Sequence, residues 1–429
     1  MAIKSPAGDA EAVFGEGSTP DELAPVTAGA RIASLDFIRG IAVMGILAAN
    51  IIAFGQPLMA TIYPPAFLSA DGDSDHWWWI AQFVLIDGKM RGLFSVLFGA
   101  GLYLFIEKAT ERGATTGLAV RRLAFLGMFG LIHFYFIWIG DILFLYAVSG
   151  LALLAFYTLK PVNQLILGLL GYFISALIFA GLFGGLYWLA SSGAMGEGEA
   201  AEMQSKMLAG MEADTQMAAA IQSGDYFAFV GANFTENLLM PVSTLSQAMV
   251  ETIGLMLIGM ALLRMGFFSG EFDHRKMVLW GWLGVIGGAL GTLAIGLWVR
   301  STDFDVLAAM LGYIAGSAFP RLPMILGLAA LMVVYSPSWT GWFGQRVAAA
   351  GRAAFTNYLG TSILMLFVFH GWALGLYGEL GRPQLYLVTL GGCIVMLLWS
   401  KPWLDRFKYG PLEWLWRCLT YGKKFPIRR

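Results

Sequence analysis

The chain has 429 residues, of which 58% are hydrophobic and 13% are charged. Soluble domains carry about 25% charged residues, so a water-soluble globular fold is excluded. A formal net charge of -1 gives no electrostatic footprint for nucleic acid. The two cysteines, Cys393 in an apolar run and Cys418 in a basic tail, give no disulfide framework.

Residues 1–30 hold five acidic residues, the single base Lys4 and no apolar core. They read as a disordered cytoplasmic tail rather than a signal peptide. From there to residue 400 the chain reads as one transmembrane domain. Apolar runs of about 20 residues are expected to form membrane helices. They fall at about 33–54, 88–107, 120–139, 141–159, 161–190, 241–264, 277–299, 305–335, 353–376 and 384–400. The expected fold is therefore all-α: a polytopic membrane bundle of about ten transmembrane helices plus interfacial helices. The run HWWWIAQFVLI, 76–86, is too short to span and reads as an interfacial or re-entrant lead into the second span.

The distribution of bases fixes the expected orientation. With the N-terminus inside, the inner connections hold Lys108, Arg112, Arg121, Arg122, Lys160, Arg264, Arg275, Lys276, Arg346 and Arg352, and the tail 401–429 is basic. The outer loops hold only Lys206, Arg300 and Arg382. Both termini are thus expected in the cytoplasm. In the outer loop 191–240, Met203, Met207 and Met211 recur at helical spacing, either as a lid or as a helix lying on the membrane surface. Gly284, Gly288 and Gly291 share one helix face and read as a packing seam. Pro320 and Pro323 flank Arg321, which suggests a broken helix beside a buried base. The segment GPLEWLWRCLTYGKK, 410–424, alternates aromatics and bases and reads as a helix at the cytoplasmic interface.

The candidate chemistry centres on LIHFYFIWIGDILFLYAVSG, 131–150. His133 and Asp141 stand in it as ionisable residues in apolar surroundings, where an unpaired charge costs roughly 2.5–3.5 kcal/mol. An imidazole held by a carboxylate forms a catalytic dyad. The alternative is Asp141 as a plain N-cap and His133 bonded to a carbonyl. Asp87, Lys89 and Arg91 form a second cluster that suits an anionic or sugar acceptor or a local ion-pair network. Arg321, His370 and Glu251 are further buried candidates. Arg31, Arg39, Arg121, Arg122 and Arg352 gather at the inner mouth, where planar guanidinium groups suit phosphate. Asn357 lies beside them with Thr356 and Tyr358. Asp36 and Arg39, three apart, can also pair with each other. Four scattered histidines show no metal-ligand spacing, and no metal is expected.

Five stretches together resemble one family: RIASLDFIRG from Arg31, DGKMRGLFSVLFG from Asp87, His133 with WIGDIL from Trp138, GRAAFTNYL from Gly351, and GPLEWLWR from Gly410. In this order they resemble the YeiB-like family of bacterial inner-membrane proteins. More distantly, the Leu-Asp-x-x-Arg-Gly opening, Leu35 to Gly40, is similar to heparan-α-glucosaminide N-acetyltransferase and the acyltransferase-3 enzymes. That resemblance implies transfer of an acyl group, acetyl foremost, from cytosolic acetyl-CoA or another acyl-CoA to an acceptor glycan or small molecule across the membrane. It leaves two candidates for the base, His133 and His76. A small-molecule transporter and a non-catalytic scaffold are the alternatives. The expected partners are the lipid bilayer, acyl-CoA and the acceptor, with no nucleic acid; a homodimer stays open.

Overall fold

The computed structural model describes residues 33–194, 196, 198–199, 202–203, 205–206 and 217–429. Arg31, Met207 and Met211 lie outside the described residues, and with them the expected phosphate contact and most of the methionine stripe. In chain order the helices are α1 Ala33–Gly55, α2 Gly72–Leu85, α3 Lys89–Glu111, α4 Gly117–Phe136, α5 Leu143–Leu153, α6 Pro161–Ser191, α7 Tyr226–Thr235 and α8 Met240–Arg264. They continue with α9 His274–Ser301, α10 Val306–Gly316, α11 Ala318–Tyr335, α12 Trp342–Arg352, α13 Ala354–Phe369, α14 Arg382–Arg406 and α15 Pro411–Tyr421. The second half of α10, Leu311–Gly316, is a π turn.

Eight segments among the described residues are long and apolar enough to cross a bilayer, or nine if α12 and α13 make one bent span. The chain is a multi-pass helical membrane protein. Its outer helices expose Leu170, Ile174 and Leu177 on α6, Leu283, Ile286 and Leu290 on α9, and Leu387, Leu390 and Ile394 on α14. Such rows are stable only against hydrocarbon, where helices keep every backbone bond internal.

Several boundaries differ from the sequence expectation. The run 76–86 falls in α2 up to Leu85, and α2 meets α3 across Ile86-Asp87-Gly88 to make one apolar unit of 40 residues. Gly88 bends the chain there with φ +72, and the Arg321 side chain occupies the space where a Cβ would sit. The expected span 141–159 is only α5, 11 residues long, and too short to cross alone. The expected break at Pro320 and Pro323 is displaced: α11 runs unbroken through both, and the irregular turn precedes it. Pro320 lies in the first turn of α11, where the missing N–H has no intrahelical partner to lose. Pro323 and Pro320 present their carbonyls to Gly284 and Gly288 of α9, so the glycine seam and the prolines are two sides of one contact. The span placed at 353–376 is α13, which ends at Phe369 and joins α12 at an 87° bend.

Close helix approach organises the centre. A Cβ on Gly99 of α3 would lie 2.0 Å from the Met256 carbonyl oxygen of α8, and one on Gly259 of α8 would lie 1.9 Å from that of Val96. The two helices therefore touch backbone to backbone, as small residues allow in membranes. That contact sets α3, with its charged N-terminal turn, against Glu251 on α8. One end of the bundle, the basic end, gathers Arg39, Arg122, Arg352 and α15. At the opposite end Gln56 of the α1 exit bonds the Leu68 amide (2.9 Å) and the Leu380 carbonyl (3.1 Å). There α7 closes over α4, with Tyr226 donating to the Phe136 carbonyl (2.6 Å) and Asn233 to that of Tyr135 (3.1 Å).

Gly259→Leu should be poorly tolerated. Overpacking costs typically 1–3 kcal/mol and more where the obstacle is backbone. The expected outcome is a lowered unfolding temperature and aggregation on size exclusion in detergent. Wild-type behaviour would show that α3 and α8 are not held this way.

Candidate functional site

α4 carries His133 in its last turn, and the chain leaves the helix at Ile137. Residues 137–142 reverse direction and deliver Asp141 to the start of α5. His133 Nδ1 lies 2.9 Å from Asp141 Oδ1, and both side chains are buried, at 0% and 2% exposure. The other oxygen, Oδ2, accepts from the Phe144 backbone N–H at 2.8 Å. Asp141 thus fastens the start of α5 and holds the imidazole at once, and His133 bonds this carboxylate rather than a backbone carbonyl. Gly130, one turn before His133, makes the approach possible, because a Cβ there would lie 2.4 Å from the Phe144 nitrogen and 2.8 Å from Asp141 Oδ2.

An ionised Asp141 has no proton to give, so Nδ1 is the donor and Nε2 of a neutral ring carries the lone pair. Nε2 is buried without a hydrogen-bond partner among the described residues. The Tyr358 ring packs beside the imidazole at 5.1 Å and the Trp138 ring at 6.2 Å. The Tyr358 hydroxyl accepts from the Ile142 amide at 3.3 Å, which leaves its own proton to donate.

Tyr358 has a second face. It lines a cavity of about 240 Å³ together with Ile142, Leu143 and Tyr146. The cavity walls are Phe94, Leu97, Phe98, Leu126 and Phe355, and its mouth carries Arg39, Arg122, Arg352, Glu413 and Trp416. Along α4, the rise from Arg122 to His133 is roughly 16 Å at 1.5 Å per residue. A second cavity of about 30 Å³ lies toward the opposite end, lined by Trp138, Phe54, Ser362 and His370. Trp138, stacked on Phe54 at 4.0 Å, stands between it and His133.

The remaining sequence candidates fall into separate groups. Arg39 is 3.1 Å from Asp36 and still lines the cavity. Arg122 lies over the Trp416 ring at 3.7 Å. Arg121 is exposed on the neighbouring face, over Phe125, and does not line the cavity. Asn357 does not face it either: its amide donates to the Ala350 carbonyl (2.9 Å) and Ser400 (3.2 Å) and accepts from Trp399 (2.8 Å), so it braces α13 against α12 and α14. Asp87 accepts from Gln82 (3.0 Å), and Lys89 donates to the Phe83 carbonyl. Arg91 and Arg321 both bond Glu251, at 3.0 Å each. His370 is buried against Phe229, its Nδ1 without a partner among the described residues. His76 lies at the surface, 3.5 Å from Asp73 and packed on Phe304, so it does not share the His133 chamber.

Sequence reasoning missed Glu413 and Tyr146. Glu413 on α15 accepts from the Phe355 N–H (2.8 Å), the Thr356 N–H (3.1 Å) and the Thr356 hydroxyl, and so caps α13 at the bend. The isolated acid in a Trp-rich amphipathic segment was the available signal. Burial raises the Glu413 carboxyl above its ordinary 4.5 despite the hydrogen bond from Thr356. The native state then holds that proton more tightly than the unfolded chain does. Its contribution to stability is complete below about pH 4.5 and is lost as pH rises through the elevated value. Glu413→Gln should flatten this part of the profile of unfolding temperature against pH. An unchanged slope in the variant would assign it to another group.

The family described as protein of unknown function DUF418 matches residues 262–423. Over 420 residues the chain is 29% identical to the uncharacterized protein YxaH of Bacillus subtilis, covering 95% of this chain and 98% of that protein. Over 408 residues it is 29% identical to the uncharacterized protein YeiB of Escherichia coli, covering 91% and 96%. No solved structure matches the chain. Over nearly its full length the chain is similar to both relatives, and its C-terminal part matches the DUF418 family, which supports a YeiB-like family for it.

Proposed function

We propose that this protein is an integral membrane acyltransferase that moves an acyl group, acetyl foremost, from acyl-CoA to a hydroxyl or amine acceptor. One observation carries the reading. A cavity with three arginines at its mouth and apolar walls ends on Tyr358, whose ring packs on the His133–Asp141 pair. The arginines suit the phosphates of CoA. The apolar walls suit the acyl chain and the arm that carries it.

His133 Nε2 takes the proton from the acceptor as the acceptor's lone pair attacks the thioester carbonyl. Asp141 holds the ring and stabilises the imidazolium that forms. Tyr358 donates to the oxyanion. The tetrahedral carbon then expels the thiolate, and His133 returns the proton to sulfur, so charge and protons balance. The acceptor approaches from the opposite end, past Trp138 and His370. The second cavity holds about one water, so Trp138 must move to admit anything larger.

The reading extends to orientation. By the positive-inside rule we read the basic end as cytoplasmic, where acyl-CoA is made, with both termini inside, which suits a protein of the bacterial inner membrane. A small-molecule transporter is the second reading, favoured by the charged cluster of Arg91, Glu251 and Arg321 in the bundle interior. Flux into proteoliposomes without chemical change would support it.

In a thiol-release assay with acetyl-CoA and pooled sugar and amine acceptors, His133→Ala should lower turnover by roughly 100-fold or more, in line with loss of a general base. Asp141→Asn should lose most of that rate with little change in the KM for acetyl-CoA. Full turnover in His133→Ala would remove the residue from the mechanism. Neither binding nor consumption of any acyl-CoA by the wild type would remove the class. For orientation, a chain lacking Cys393 and Cys418 is given one cysteine at Ser338 or at Ser301, both exposed. An impermeant maleimide applied to intact spheroplasts should label Ser301→Cys and spare Ser338→Cys; the reverse pattern would invert the protein.

A further inference from the structure

Taken by itself, the charged cluster at the start of α3 does not balance. Asp87, Lys89, Arg91, Glu251 and Arg321 lie together where α3 begins, facing α8 and α11, and carry three positive and two negative groups. Arg382 and Asp75 form a separate one-to-one pair at 2.8 Å and leave the sum unchanged. A surplus positive charge in a membrane interior is costly unless something compensates it. Within the cluster Glu251 is the one carboxylate paired to the arginines, and it is shared by two of them.

The surplus is reachable at Arg91. Arg321 is 6% exposed and engaged twice, by Glu251 at 3.0 Å and the Tyr172 hydroxyl at 3.3 Å. Arg91 is 28% exposed and Glu251 15%. Arg91 uses one nitrogen, Nη2, across both Glu251 oxygens at 3.1 and 3.0 Å. Its Nε and Nη1 make no side-chain hydrogen bond among the described residues. A triad serving packing alone would saturate its planar donors. This one keeps a donor edge open, in the geometry that receives a carboxylate or a phosphate.

The backbone of Arg91 lies close to the cavity that reaches toward His133. The Tyr146 hydroxyl donates to the Arg91 carbonyl (3.1 Å) and sits 2.7 Å from Ser95 Oγ. The same Tyr146 lines the deep part of the cavity with Tyr358. We propose that Arg91, fixed by Glu251 and Arg321, binds an anionic group, carboxylate or phosphate, on the molecule that accepts the acyl group. The acceptor role rests on the acyl-transfer reading; anion binding at Arg91 does not.

The test uses the full chain in phosphatidylcholine and in phosphatidylglycerol nanodiscs, with sodium phosphate titrated against sodium chloride at equal ionic strength. Wild type should show a saturable rise in unfolding temperature with phosphate. Arg91→Gln combined with Glu251→Gln keeps the surplus of the cluster unchanged and is checked for a single peak on size exclusion. Its apparent phosphate affinity should fall at least about tenfold, the loss of one charge-assisted bond. A response in phosphatidylcholine alone identifies a lipid headgroup as the competing natural anion, and a response in both identifies a soluble one. Equal responses of wild type and double variant, or none in either lipid, overturn the site. A parallel thiol-release assay compares glucose 6-phosphate with glucose as acceptor. Phosphate binding without any acyl-CoA consumption would sink the enzyme reading and keep the anion site. Acyl-CoA consumption without preference for the phosphorylated sugar and without a phosphate response would do the opposite.

Discussion

A carboxylate in hydrocarbon surroundings must find its hydrogen-bond partners inside the protein, and each oxygen of Asp141 has one. One oxygen takes the Phe144 amide in the first turn of α5 and the other takes the His133 ring. The reversal of the chain between α4 and α5 therefore depends on the same group that orients the imidazole. Removing either contact would leave a buried anion half satisfied, which costs more than the contact itself contributes. The fold around the pair follows from this. α5 is too short to cross a membrane, yet it is held because Asp141 anchors its start and Tyr146 anchors its middle on the α3 backbone.

The same accounting explains the rest of the polar interior. Hydrocarbon offers no hydrogen bonds, so every charge there is found in company. Asp75 is paired with Arg382, Glu251 with two arginines, and Lys89 with a backbone carbonyl. Glu413 spends its oxygens on the amides exposed where α13 begins after the 87° bend. That bend brings Tyr358 down beside His133 and puts Arg352 at the cavity mouth. A charge at the membrane surface and a ring near its middle are thus tied to one structural event.

Much of this was legible in the chain. Ionisable residues in apolar runs marked His133, Asp141, Arg321 and Glu251, because such residues persist only inside a bundle. The glycine face of α9 announced its seam. What the sequence did not show were the partners. Arg91 and Glu251 stand 160 positions apart, and no local pattern records that they meet. Asn357 looked like a polar group at a basic mouth, but two neighbouring helices claim its amide on the other side of α13. Hydrophobicity alone also misjudged length. The run 151–159 is as apolar as a span, yet the chain turns after Leu153, since an apolar connection and a helix look alike to a hydropathy pattern.

The separation of the polar groups bears on what the bundle can do. A single water-filled tunnel would expose His133 to both sides and to hydrolysis of any thioester held there. Here Tyr358 stands between the imidazole's surroundings and the arginine-lined cavity, and Trp138 lines the small cavity beneath α7 while packing near the same ring. Each is an aromatic ring whose rotation would open one side without the other. Under the acyl transfer proposed above, water has to be excluded until both substrates arrive, because the acceptor is not water. Two rings flanking one buried imidazole suit that proposal with few moving parts.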